Sequence, residues 1–157
     1  MSKTVKNLSM SLVKKQDAAK YKDKKRVNFD DVKVDVDVVF RPSKRNLVVA
    51  EMLDVLHNAL VEKRKMDGGI GLIISNALIV KHFTSIETDA EDYEGLINML
   101  TLLTDGEYLE KIMTAFEKEQ LEIMYEELNK AILMTKEIIE TETEKAKVEG
   151  EKDADVQ

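Results

Sequence analysis

The sequence predicts an α+β fold that is predominantly α-helical: a short N-terminal β-strand or hairpin followed by about five helices in a compact bundle. Three observations predict it. In "DDVKVDVDVVFRPSK", residues 30–44, valine falls at every second position, Val32, Val34, Val36 and Val38, and Phe40 continues the series. A two-residue period is that of a half-buried strand. Downstream, apolar residues recur at three- and four-residue spacing, the period of a helix with one packed face. Between the two regimes stands Pro42, the only proline, which lacks a backbone donor and ends a strand.

The elements follow in order. Residues 1–26 read as a basic, flexible leader, with a short alternation at Leu8, Met10 and Leu12 and then the Lys-rich "KKQDAAKYKDKKR". That tract is expected to be disordered or to become helical only on binding. The strand region spans 27–40. A first helix starts near Ser43 and carries Val49, Met52, Leu53, Leu56 and Leu60 as its apolar stripe. Lys and Arg in "EKRK" suit the negative end of that helix. "DGGIG" reads as a turn. "LIISNALIVKHF" is apolar almost all round, and its length favours a buried helix. Three Thr-x-x-Glu patterns then follow, Thr88 with Glu91, Thr104 with Glu107 and Thr114 with Glu117. Each reads as a capping box, and together they predict helices over 89–103, 105–113 and 115–143. In the last, Leu121, Met124, Tyr125, Leu128, Ile132, Thr135 and Ile139 form one stripe. The domain organisation is therefore the leader, one globular domain over 27–143 (helices in 43–143), and an acidic flexible tail over 144–157.

Composition sets further bounds. Apolar residues make up 43% and charged residues 35%, which is enough for a core and too apolar for a disordered chain. There is no Cys, which excludes disulfides, thiol catalysis and Cys-ligated zinc, and fits a reducing compartment. The first thirty residues lack a continuous apolar block, so no signal peptide is expected. The longest apolar run, 70–80, is interrupted by Gly71, Ser75 and Asn76 and is too short to span a bilayer. Charge is unevenly spread: residues 1–26 hold nine Lys/Arg against two Asp, and 27–136 hold twelve basic against twenty-one acidic groups. A basic leader and an acidic body can attract one another, within a chain or between chains.

No pattern points to bond-making chemistry, so no catalytic, cofactor-binding or metal-binding residue is assigned. Asp30, Asp31, Asp35 and Asp37 cluster, but Asp35 and Asp37 alternate with valines and are expected on a solvent face that blunts a strand edge. His57 and His82 have no ligand or catalytic spacing around them. "GGIG" lacks the Gly-Lys-Thr/Ser ending of a phosphate loop. The leader could neutralise phosphates, but Tyr21 is its one aromatic, so bases have little to stack on, and nucleic acid is disfavoured as a partner.

The strand carries the functional question, because its N–H and C=O groups need partners. It can fold back on Val27 and Phe29 through Asp30 and Asp31. It can pair with 8–12. Or it can add to a strand of another molecule. The third answer makes Val32, Val34, Val36, Val38 and Phe40 protein-interaction candidates, in a chain that is expected to form homo-oligomers.

Residues 27–135 resemble the small tail-module proteins of long-tailed bacteriophages, of which the tail assembly chaperone is the nearest type. The resemblance is carried by "VNFDDVKVDVDVVFRPS", "VVAEMLDVLHNAL", "LIVKHFTSIET" and "DAEDYEGLINMLTLL". The basic leader departs from that pattern. The resemblance implies a non-enzymatic assembly protein that binds phage tail or other virion proteins before or during polymerisation, coating the tape-measure protein, in the host cytoplasm or in the virion. Two alternatives stand beside it: a structural connector or completion protein of the virion, and a phage-encoded acidic inhibitor of a host protein.

Overall fold

The valine segment pairs within its own chain. A computed structural model describes the backbone of residues 4–154 and the side chains of 4–150. Among the described residues, helix α1 (Met10–Lys20) precedes a hairpin of β1 (Lys24–Phe29) and β2 (Val32–Asp37). Five helices follow: α2 (Pro42–Val61), α3 (Gly68–Phe83), α4 (Tyr93–Asp105), α5 (Leu109–Ala115) and α6 (Lys118–Ala154). The α+β, mostly helical class is the one the sequence predicts.

The hairpin turns at Asp30 and Asp31, and its antiparallel register sets Lys24 opposite Asp37, Arg26 opposite Asp35, and Val27 opposite Val34. Residues directly opposite share a face. One face is therefore a ladder of opposite charges, and the other holds Val27, Val34, Val36 and Phe29. The first of the three predicted pairings is the one formed. Its arm is longer than expected, because Lys24, Lys25 and Arg26 of the leader belong to β1. The outer side of β2 is met too: Val36 bridges Thr84, Ser85 N–H donates to the Asp35 carbonyl at 2.9 Å, and Asp35 N–H donates to Ser85 Oγ at 2.8 Å.

Asp37 corrects the expectation of a wholly solvated acidic face. It is only 6% exposed. Lys24 Nζ lies 2.5 Å from one carboxylate oxygen and Lys44 Nζ 3.2 Å from the other. The strand alternation did turn Asp37 away from Val36, but the first turn of α2 folds over that side and brings Lys44 with it. A carboxylate enclosed in this way needs its charges matched. Asp35, by contrast, stays at the surface, where Lys33 and then Arg26 hydrogen-bond it and hold its pKa below the usual carboxylate value.

The core gathers around α3, which buries Ile74, Ala77, Leu78, Ile79, Val80 and Phe83. This apolar segment is the helix expected of it. Phe40 stacks on Phe83 with ring centroids 3.8 Å apart, and Phe116 meets Phe40 edge-on at 5.4 Å. Phe40 N–H donates to Gln120 Oε1 at 2.9 Å, so the backbone leaving the hairpin is satisfied by α6.

Several helix details depart from the sequence reading. In α2 the buried residues are Val48, Met52, Val55 and Ala59, so the packed stripe is rotated from the predicted one. Ala and Val allow close approach of α3 and α6, and Leu53 and Leu60 are left outside. "DGGIG" is the start of α3, not a turn: Asp67 is the N-cap, accepting from Ile70 N–H at 2.9 Å. The three Thr-x-x-Glu patterns do not cap helices. Thr104 and Thr114 lie inside α4 and α5 and donate back to Leu100 and Glu110 carbonyls, the alternative that a hydroxyl always has within a helix. Thr88 accepts from Ala90 N–H in a turn, and Asp92 caps α4 instead. Finally, α6 starts at Lys118 and runs past residue 143 to Ala154, so the acidic segment expected to be frayed is helical there. Its Glu- and Lys-rich sequence favours helix, and Glu142 with Lys145 and Glu144 with Lys147 sit at i,i+3.

Candidate interaction groove

The described residues enclose an open groove of about 760 Å³ where α2, α3 and α6 diverge. Each wall follows from a local feature. The rotated stripe of α2 leaves Leu56 and Leu60 on this side, with Leu60 53% exposed. The first turns of α3 contribute Gly68, Gly71 and Leu72. The glycines keep the space open: a Cβ built on Gly68 or Gly71 would meet nothing within 4 Å. The third wall is α6, through Tyr125, Ile132, Leu133 and Ile139. Tyr125 is anchored by its hydroxyl, which donates to Asn76 Oδ1 at 2.5 Å, and burial raises its pKa above the usual phenol value. Ser75 turns its hydroxyl to the Gly71 carbonyl at 2.8 Å. The surface left to a ligand is chiefly apolar, suited to receiving side chains such as Leu, Val or Met.

A second groove of about 470 Å³ lies on the other side of Arg64. It is acidic, lined by Glu51, Asp54, Glu62, Glu91, Asp92 and Glu94 together with Arg64 and Lys81. Arg64 lines both grooves. It follows the left-handed Lys63 that ends α2, lies over the Tyr93 ring, and donates to Glu94 at 2.5 Å and Glu62 at 2.7 Å. Those two carboxylates raise its pKa further. Both oxygens of Glu51 are engaged, by Lys81 Nζ at 3.1 Å and His82 Nε2 at 2.9 Å. This ties α2 to α3 at the groove wall.

The residues singled out from sequence lie elsewhere. Val36 and Phe40 are buried in the core, Val34 and Val38 are half-buried, and Val32 is 57% exposed at the turn. The hairpin brings Val34 and Val36 together against the core, and their segment is engaged by its own chain on both sides. His57 is exposed on α2. The groove escaped sequence reasoning because its walls come from three separated segments. The available signal was Leu60 and Leu72, large apolar residues flanking a glycine-rich helix start.

Among the described residues no helix is long and apolar enough to cross a membrane. Comparison with curated proteins and with solved structures gave no match. A family profile, YomO, matches residues 10–156, which takes in every element of the fold from α1 to α6. The chain belongs to the YomO family, a phage-associated family.

Proposed function

We propose that the protein is a non-enzymatic phage assembly factor that binds other phage proteins, acting like a tail assembly chaperone in the host cytoplasm. The observation that carries this reading is the open apolar groove between α2, α3 and α6, which offers a partner burial of apolar side chains. The family's phage association supports the setting. The net charge of −7 supports a role in keeping an aggregation-prone partner soluble.

A structural connector retained in the virion is the second reading. It is favoured by α6, whose residues 140–150 are exposed beyond the core and could bridge to a neighbour. Mass spectrometry of purified particles, with a pull-down from infected cells, separates the two. A chaperone co-purifies with tail proteins and is absent from particles. A connector is present in them at fixed copy number. Recovery of neither pattern, with a host protein as the sole partner, overturns both readings.

A further inference from the structure

We infer that the apolar groove is a docking site for the N-terminal arm of a second copy of this chain, so that copies associate head to tail. The inference rests on reading the groove as a binding surface and goes beyond it by naming the occupant. Among the described residues, the arm carries apolar side chains that stay exposed. Val5 and Leu8, just ahead of α1, are 94% and 77% exposed, and Leu12 in its first turn is 40% exposed. Helix α1 buries none of its residues. Arg41 meets it on the body: Arg41 Nη1 donates to both Asp17 oxygens at 2.7 and 2.9 Å, and the guanidinium lies 4.2 Å from the Tyr21 ring centre.

Charge favours the same pairing. Residues 4–22 carry five Lys against Asp17. The apolar groove adjoins the acidic one across Arg64. A basic segment with exposed Val5, Leu8 and Leu12 can therefore lay those side chains in the first while its lysines face the carboxylates of the second. Position favours another molecule as the donor. Arg41 stands at the start of α2 and Leu60 near its end, on the order of 25–30 Å apart at 1.5 Å per residue. The arm of the same molecule would have to leave Arg41 to fill its own groove, whereas a neighbour's arm can enter with that contact intact. Because arm and groove are different surfaces, the contact is heterologous and each copy offers one of each.

The test uses the full chain and two variants that spare the core. Gly71→Leu projects a side chain into the open space of the groove. The paired change Leu8→Asp and Leu12→Asp alters exposed arm positions. Circular dichroism checks that each keeps the fold. In sedimentation velocity the wild type is expected to grow in mass with concentration, and to dissociate at least about tenfold more readily when salt is raised past the screening range. Each variant alone is expected to stay monomeric. Mixed together, the groove-filled chain donates its intact arm to the intact groove of the arm variant, and the pair stops at a dimer.

A wild type that remains monomeric, variants that associate like wild type, or a mixture that forms no dimer overturns the inference. The binding reading fails separately. If Gly71→Leu loses phage partners in a pull-down while the arm variant keeps them, the groove is a docking site for a different protein, and the second-copy occupant is the part overturned. If both variants keep the wild-type partners, the groove is not the binding surface.

Discussion

Lys24 and Asp37 meet across the first rung of the hairpin, ammonium to carboxylate at 2.5 Å, with the carboxylate enclosed by the start of α2. Arg26 and Asp35 make the same kind of pair two residues along, at 3.2 Å but at the surface. The two aspartates therefore differ in consequence although the sequence places both in one alternating run.

Asp37→Asn is expected to lower unfolding free energy by about 1–2 kcal/mol, since it leaves two lysines facing a neutral amide in a largely desolvated site. Asp35→Asn is expected to cost less, and its effect should shrink as salt is added. Urea unfolding at two ionic strengths checks both. Equal losses for the two variants would contradict the burial of Asp37.

Truncation separates the two halves of the leader. Removing residues 1–21 takes away α1, which buries nothing, and is expected to move Tm by no more than about 3 °C. Removing 1–26 also deletes half of β1. It strips β2 of ladder partners and exposes Val34 and Val36, and Tm is expected to fall by about 10 °C or more. Thermal melts followed by circular dichroism measure the difference.

Gly71 lies within α3, where glycine is a poor helix former, and a methyl there meets open space. Gly71→Ala is expected to raise stability by about 0.5–1 kcal/mol, read as a higher urea midpoint with an unchanged slope. A loss of stability would contradict the open space beside Gly71.

Tyr125 gives a pH dependence with a definite sign. Burial raises its folded-state pKa above 10.0, so folding holds a proton that the unfolded chain releases. The associated stability is fully present below pH 10 and is lost as pH rises through the folded pKa. Tyr125→Phe removes this dependence together with the hydrogen bond to Asn76, at a cost of about 1 kcal/mol near neutrality. Stability measured from pH 8 upward should fall more steeply in the wild type than in the variant.

The parts of the fold that were legible are those that local periodicity determines. The valines mark β2, and the length of "LIISNALIVKHF" marks α3. The parts that were not depend on contact between distant segments. The rotation of α2 is set by how closely Val48, Val55 and Ala59 let α3 and α6 approach, and no single window of sequence contains that choice. Asp37 looked solvated because the alternation says which way a side chain points and not what later covers it. The threonine patterns misled because a hydroxyl accepts at a helix start and donates within a helix with equal ease. The interaction groove shared this limit. Its α2 and α6 walls show in the sequence only as separate apolar stripes, Leu56 with Leu60 and Tyr125 with Ile132 and Ile139, and nothing local says that they face one another.

The backbone contacts of Thr84 and Ser85 along the outer margin of β2 carry a consequence for crowding. A second molecule that approaches this edge finds it already occupied at Asp35 and Val36. The Asp35–Val36 stretch is thereby withheld from edge-to-edge pairing with a foreign strand. Contact through this margin is then left to side chains, which can release as well as bind.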